Sequence, residues 1–169
     1  MAEQKKRDAW FWLAVFFGSG LAPRAPGTFG SLASLVLWAP MVLFAVPPVF
    51  RVVVAVAIFA LGVVAADRAA RFLNNPDPKE VVIDEVAGQG LALAFASTSM
   101  WSVVVGFALF RLFDVWKPWP IRLADRRIKG GFGIMFDDVL AGLFAAPLVV
   151  GFDVLLLPRL VDAWVGVAS

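Results

Sequence analysis

The chain has no cysteine and no histidine among its 169 residues, and charged side chains make up only 17% of it. The missing cysteines exclude disulfides, thiolate nucleophiles and cysteine-held zinc. The missing histidines remove the usual general base, the commonest transition-metal ligand and any phosphohistidine intermediate. Chemistry must therefore fall to carboxylates, lysine, arginine, hydroxyls, backbone amides or a hard metal ion. Net charge is only +2, and no run of Lys and Arg is interleaved with exposed aromatics, which argues against a nucleic-acid surface.

What fills the space is apolar. Hydrophobic residues make up 61% of the chain, and the mean hydropathy of +0.84 points to a membrane protein rather than an ordinary soluble domain. The length suits one membrane-embedded domain over residues 1–169. At the N-terminus, Lys5, Lys6 and Arg7 precede the apolar stretch Trp10–Phe17, a superficial likeness to a signal peptide. Eight apolar residues are too few, and Gly18–Arg24 makes a poor cleavage region. A short interfacial helix, with its aromatics at headgroup level, is the expected structure.

Four hydrophobic stretches follow. Phe29–Phe50 carries no charge and predicts a helix over about Ser31–Val46 that ends at Pro47-Pro48. Val52–Ala66 is closed by Asp67, Arg68 and Arg71. Val86–Phe110 runs 25 residues without charge, and Val139–Phe152 precedes Asp153 and a further apolar patch, Val154–Leu157. The third stretch decides the topology: it is either one span or a hairpin turning at Ser97-Thr98-Ser99. As a hairpin it leaves 13 of the 15 basic residues on one side, with Arg51 and Arg159 on the other; as one span it splits them 8 to 7. The positive-inside rule selects the hairpin, and with it a multi-pass all-α bundle. Arms of about 14 residues rise only about 21 Å, so the bilayer must thin locally or the pair must stop short of crossing. Small residues at four-residue spacing, Gly88/Ala92/Ala96 and Gly142/Ala146, would let these helices pack closely.

The hairpin gathers the polar residues on one membrane face. Asp84-Glu85 precedes its first arm, where the pair suits both helix capping and ligation of a hard cation such as Mg²⁺. Arg111, Asp114 and Lys117 recur at i, i+3 and i+6, on roughly one helical face before Pro118 ends the helix. Asp137-Asp138 follows Gly130-Gly131-Phe132-Gly133 and is expected at the opening of the last long helix, one Asp as its N-cap. Two adjoining carboxylates in a membrane-embedded bundle need a cation, either a divalent metal or the nearby Lys and Arg. The loop Gly18–Ser31 holds four glycines, two prolines, Arg24 and three hydroxyls and runs into a helix start, a pattern that serves as a turn or as an anion cradle.

Four blocks, FGSGLAPRAPGTFGSL (17–32), IDEVAGQ (83–89), FRLFDVWKPWPI (110–121) and GGFGIMFDDVLAG (130–142), carry a resemblance to the phosphatidylglycerophosphatase A family over nearly the whole chain. The resemblance implies an all-α multihelical fold and Mg²⁺-dependent hydrolysis of phosphatidylglycerophosphate to phosphatidylglycerol and phosphate. It also implies a place in a bacterial inner membrane with the active site facing the cytoplasm. On this reading Asp84, Glu85, Asp114, Asp137 and Asp138 are the metal ligands, and Asp84, Glu85, Asp114, Lys117 and Asp138 are catalytic. Ser19, Gly20, Arg24, Gly27, Thr28 and Lys117 receive the phosphate. The partners are the phospholipid substrate and anionic lipids drawn by the basic cluster Arg111–Lys129. Direct attack by water and an aspartyl-phosphate intermediate both remain open, as do another lipid monophosphate (isoprenoid phosphate or phosphatidic acid) and a small non-enzymatic transporter. A transporter predicts acidic groups at different depths, an enzyme their convergence at one face.

Overall fold

A computed structural model describes residues 7–161; Lys5 and Lys6, counted above with the inward-facing bases, lie outside them. The described chain is an all-helical membrane bundle, as expected. Its elements are α1 (Ala9–Ala14), a 3-10 segment (Phe16–Leu21), α2 (Pro26–Leu43), α3 (Pro48–Leu73), α4 (Ile83–Ala92), α5 (Met100–Trp116), α6 (Ile121–Arg127) and α7 (Gly130–Leu155). Three helices, α2, α3 and α7, are long and apolar enough to cross a membrane. Only 28% of the apolar window in each is buried within the protein, so most of each span faces outward, Val36 at 80% exposure among them.

Several boundaries differ from the sequence expectation, each for a local reason. α2 starts at Pro26 rather than near Ser31, because proline in a first helical turn has its φ preset and no N–H to lose. It ends at Leu43, before Pro47-Pro48. α3 continues past its apolar run: Asp67, Arg68 and Arg71 end the greasy surface but not the helix, and Arg71 pairs with Asp67 one turn back. α7 begins at Gly130, so the glycine-rich run is its first turn rather than a loop. The expected cap role for Asp137 or Asp138 is therefore wrong: Lys129 holds that position, and the two acids sit two turns inside the helix. α1 is also more than interfacial. Phe11, Ala14 and Val15 are buried in one core cluster with Ala65, Ala66 and Ala69 of α3, while Trp12 and Phe17 remain exposed.

The central stretch is a hairpin, with unequal arms of 10 and 17 residues in α4 and α5. α4 rises about 15 Å, too little to cross a bilayer. Its far end is held by charge. Arg51 donates from Nε to the Val46 carbonyl at 2.8 Å and from Nη1 to the carbonyls of Leu93 and Ala96, both at 3.0 Å. Those are acceptors that a helix C-terminus otherwise leaves unmet. Asp153 accepts from the Ser97 amide at 2.7 Å and the Ser102 hydroxyl at 2.5 Å. The start of α4 and the end of α5 meet at the opposite end, where Glu85 contacts Arg111.

α4 is the axis of the bundle, packed by α2, α3, α5 and α7. Trp38, fully buried, donates its indole N–H to the Val86 carbonyl at 2.8 Å. The α4–α7 crossing is close because a side chain is missing from both helices. A Cβ at Gly88 would strike the Asp138 carbonyl and the Phe110 ring, and one at Gly142 would strike the Gly88 carbonyl. The small-residue expectation therefore holds for Gly88, Ala92 and Gly142, while Ala96 lies in the turn and Ala145 takes the fully buried position beside Ala146. Gly88→Ala should destabilise the protein by about 1–3 kcal/mol, the cost of overpacking against backbone that cannot retreat. Gly151→Ala meets nothing within 4 Å and should be neutral. Thermal unfolding of both variants in detergent checks this, and equal midpoints would refute the close-crossing account.

Candidate active site

At the Glu85 end of the bundle, one guanidinium organises the first half of the site. Glu85, in the first turn of α4, is buried and receives Arg111 Nη1 and the Ser31 hydroxyl on the same Oε2. Arg111 also pairs with Asp114 Oδ2 at 2.6 Å, and its Nη1 and Nη2 reach Ser31 Oγ at 3.2 Å and Thr28 Oγ1 at 3.5 Å. Gly27, at the start of α2, lies directly against the Glu85 carboxylate. Asp84, beside it, accepts the Glu85 amide at 2.9 Å, and an acid in a first helical turn is favoured by the helix dipole.

Lys117 organises the second half. Arg111 and Asp114 do share a helical face, but α5 ends at Trp116, and Lys117 takes a left-handed backbone conformation that turns it away from them. Its ammonium bonds Asp125 Oδ1 of α6 at 2.8 Å and also Asp137 of α7. Asp137 and its neighbour Asp138 are 6% and 3% exposed. Asp138 Oδ2 is buried with no hydrogen-bond partner in the described structure.

These groups line one cavity of about 100 Å³. Asp84, Glu85, Asp114, Asp137, Asp138 and Lys117, taken from three helices and a helix end, are all in its wall, with Asp125 and Lys129. The acids meet at one end of the bundle rather than at graded depths. Of the loop residues expected to cradle phosphate, Gly27 and Thr28 reach the Glu85–Arg111 group. Neither these two nor Ser19, Gly20 and Arg24 are in the cavity wall. Ser19 bonds the Val15 and Phe16 carbonyls, Gly20 packs on the Glu80 carbonyl, and Arg24 is exposed. Three contributors escaped the sequence reading of the site. Ser31 is one hydroxyl among several, Arg111 reads only as a charge sharing a helical face with Asp114 and Lys117, and Asp125 is a lone acid in a basic stretch.

The electrostatics are those of crowded carboxylates. Burial, then Asp114, pushes Glu85 up to about 7, against the pull of Arg111 and Ser31. Burial, then the charges of Glu85 and Asp137, holds Asp84 well above the usual carboxylate range. Burial alone would lower Lys117, but Asp137 and Asp125 outweigh it and raise it, so it stays a cation. Among the described residues no three acids close into a ready-made metal cage; Arg111 and Lys117 stand between them as the counter-charges.

Removing one member of a buried pair leaves the other uncompensated, which costs about 3–5 kcal/mol. Arg111→Met should therefore destabilise by that order, and Glu85→Gln in the same chain should recover part of the loss. A double-mutant cycle in denaturant measures the coupling, and additive effects would show that the pair contributes nothing.

Comparison with known proteins bears on the same residues. The family model described as Phosphatidylglycerophosphatase A matches residues 12–153, a range that contains every residue of the cavity. A protein of Escherichia coli named phosphatidylglycerophosphatase A is 41% identical over 146 residues, 86% of this chain and 84% of the relative. One of Haemophilus influenzae with the same name is 40% identical over 138 residues, 81% of this chain and 84% of the relative. A Bacteroides thetaiotaomicron protein, provisionally named a phosphatidylinositol-3-phosphatase, is 37% identical over 139 residues, 79% of this chain and 86% of the relative. No solved structure matches. The chain belongs to the phosphatidylglycerophosphatase A family of enzymes.

Proposed function

We propose that this enzyme hydrolyses the terminal phosphate monoester of phosphatidylglycerophosphate to phosphatidylglycerol and inorganic phosphate, with Mg²⁺, at the cytoplasmic face of a bacterial inner membrane. The observation that carries the reading is the convergence of Asp84, Glu85, Asp114, Asp137 and Asp138 on one cavity in a chain of this family. A phosphate monoester is itself an anion and is repelled from such a cavity unless a further cation joins Arg111 and Lys117. The residues suit a hard divalent ion: every donor is oxygen, and the buried Asp138 Oδ2 has a lone pair to spare. Those five carboxylates would hold it, directly or through waters. The chemistry such an ion supplies is polarisation of a phosphoryl oxygen and acidification of a bound water.

The chain's own groups account for the rest. Lys117 Nζ, fixed between Asp125 and Asp137, presents positive charge to phosphate oxygens at the cavity wall. Arg111 fixes Glu85 and Asp114 and keeps their oxygens from rotating away. Water attacks phosphorus and loses its proton to a cavity carboxylate. The bond from phosphorus to the glycerol oxygen breaks, and that oxygen takes up the proton. Asp84→Ala, Asp114→Ala and Asp138→Ala should each lower phosphate release by at least about 10²-fold, as loss of electrostatic stabilisation does, while the protein still inserts. Purified protein should release phosphate from phosphatidylglycerophosphate in preference to phosphatidic acid and prenyl phosphates, and only with Mg²⁺. Full turnover in chelator removes the metal assignment; near-native rates in all three variants remove the site.

The orientation is supported by the basic residues: among the described residues, 11 of 13 are on the side of the cavity once the hairpin is counted. The absence of native cysteine makes a clean test possible. Thr98→Cys, exposed at the hairpin tip, should react with an impermeant maleimide on intact cells, whereas Arg127→Cys should react only after the membrane is opened. The reverse pattern would invert the topology.

A further inference from the structure

Beside the acidic cavity lies a second, more open one of about 470 Å³, lined by Trp116, Pro118, Trp119, Arg122, Leu123 and Arg126. The two flank the same wall. Lys117 faces the acidic cavity while Trp116 and Pro118, on either side of it, face the other; Asp125 faces the first and Arg126 the second. Lys117 and Asp125 are bonded to each other at 2.8 Å. In the second cavity nothing is acidic. Arg122 makes a single long bond to the Trp116 carbonyl at 3.4 Å, and among the described residues no carboxylate lies within ion-pair distance of Arg122 or Arg126. Trp116 and Trp119, 61% and 79% exposed, are of the type that sits at headgroup depth in a bilayer.

The groove on the opposite flank, about 490 Å³, is just as open but differs in its charges. It shares Lys129 and Gly130 with the acidic cavity but contains Asp67, which holds Arg71. Arg68 lies over the Trp10 ring and near Asp8, and Lys129 bonds the Asp125 carbonyl at 3.0 Å. Lys129 already belongs to the acidic cavity, whereas Arg122 and Arg126 line a neighbouring one that holds no acid.

Phosphatidylglycerophosphate carries two phosphates: the terminal monoester that is cleaved, and the diester that joins the headgroup to the diacylglycerol, separated by a three-carbon bridge. We infer that Arg122 and Arg126 form a subsite for the substrate's own phosphodiester, held beside the tryptophans while the monoester enters the acidic cavity. This deepens the proposed function and rests on it. Two guanidinium forks suit the two free oxygens of a diester. The subsite selects lipids that carry an internal diester, and phosphatidic acid, which has only the monoester, cannot use it.

The test compares phosphatidylglycerophosphate with phosphatidic acid in neutral detergent micelles, where no other anionic lipid is present. The double variant Arg122→Ala/Arg126→Ala should raise KM for phosphatidylglycerophosphate roughly tenfold or more, since hydrogen bonds to charged groups are lost, with kcat little changed. The preference over phosphatidic acid should fall by the same factor, and Arg122→Lys/Arg126→Lys should restore part of it. Arg68→Ala/Arg71→Ala, matched in charge on the other flank, should leave the preference intact. An unchanged preference in the tryptophan-side variant overturns the subsite. So does an equal loss on both lipids, which would be general electrostatics or misfolding, or an equal effect from the control pair. Wild-type protein that releases phosphate from neither lipid removes the parent function instead, and the subsite with it.

Discussion

The bond from Arg111 to Glu85 and Asp114 is the constraint on which the rest of the structure depends. It ties the start of α4 to the last turns of α5 and, through Ser31 and Thr28, to the start of α2. Without it, two largely buried carboxylates would lose their shared counter-charge. Desolvation makes such a pair costly to build and costlier to break. That asymmetry gives the site its rigidity: once formed, the arrangement has few cheaper alternatives.

Packing and chemistry share the same atoms. The glycine at position 88 rests on the Asp138 carbonyl, so the crossing of α4 over α7 also sets how far Asp138 stands from Asp84 and Glu85. At the other end Arg51 and Asp153 satisfy the turn that α4 leaves unfinished. The short helix is therefore fixed at both ends by charge and along its length by contact. That explains how ten residues, too few to span a bilayer, form the axis of the protein.

Much of this was legible in the residues. The hairpin followed from counting Lys and Arg, and the acids that line the cavity followed from asking where charge stands beside apolar runs. What was not legible depends on three-dimensional partners. Helix starts at Pro26 and Gly130 were hidden because Gly and Pro read as loop until tertiary packing selects the helix. Asp137 and Asp138 read as caps because a local rule cannot know that the helix began two turns earlier. Asp125 became visible only when Lys117 turned toward it, a consequence of one backbone conformation at the end of α5. Ser19 and Gly20 belong to the same block as Gly27 and Thr28 in the sequence, but the 3-10 segment holds them on the Val15, Phe16 and Glu80 carbonyls, whereas Gly27 and Thr28 open α2 against the Glu85–Arg111 group.

Because Arg51 is buried on carbonyls, the apolar surface of α3 runs from Pro48 to Ala66 and rises about 28 Å, close to the roughly 30 Å of an average hydrocarbon core. A bilayer meets a girdle of that height with little mismatch. A diacyl molecule diffusing laterally along that girdle brings its polar end to the site without leaving the sheet. Its acyl tails never leave oil, which spares an extraction cost of about 0.8 kcal/mol for every methylene.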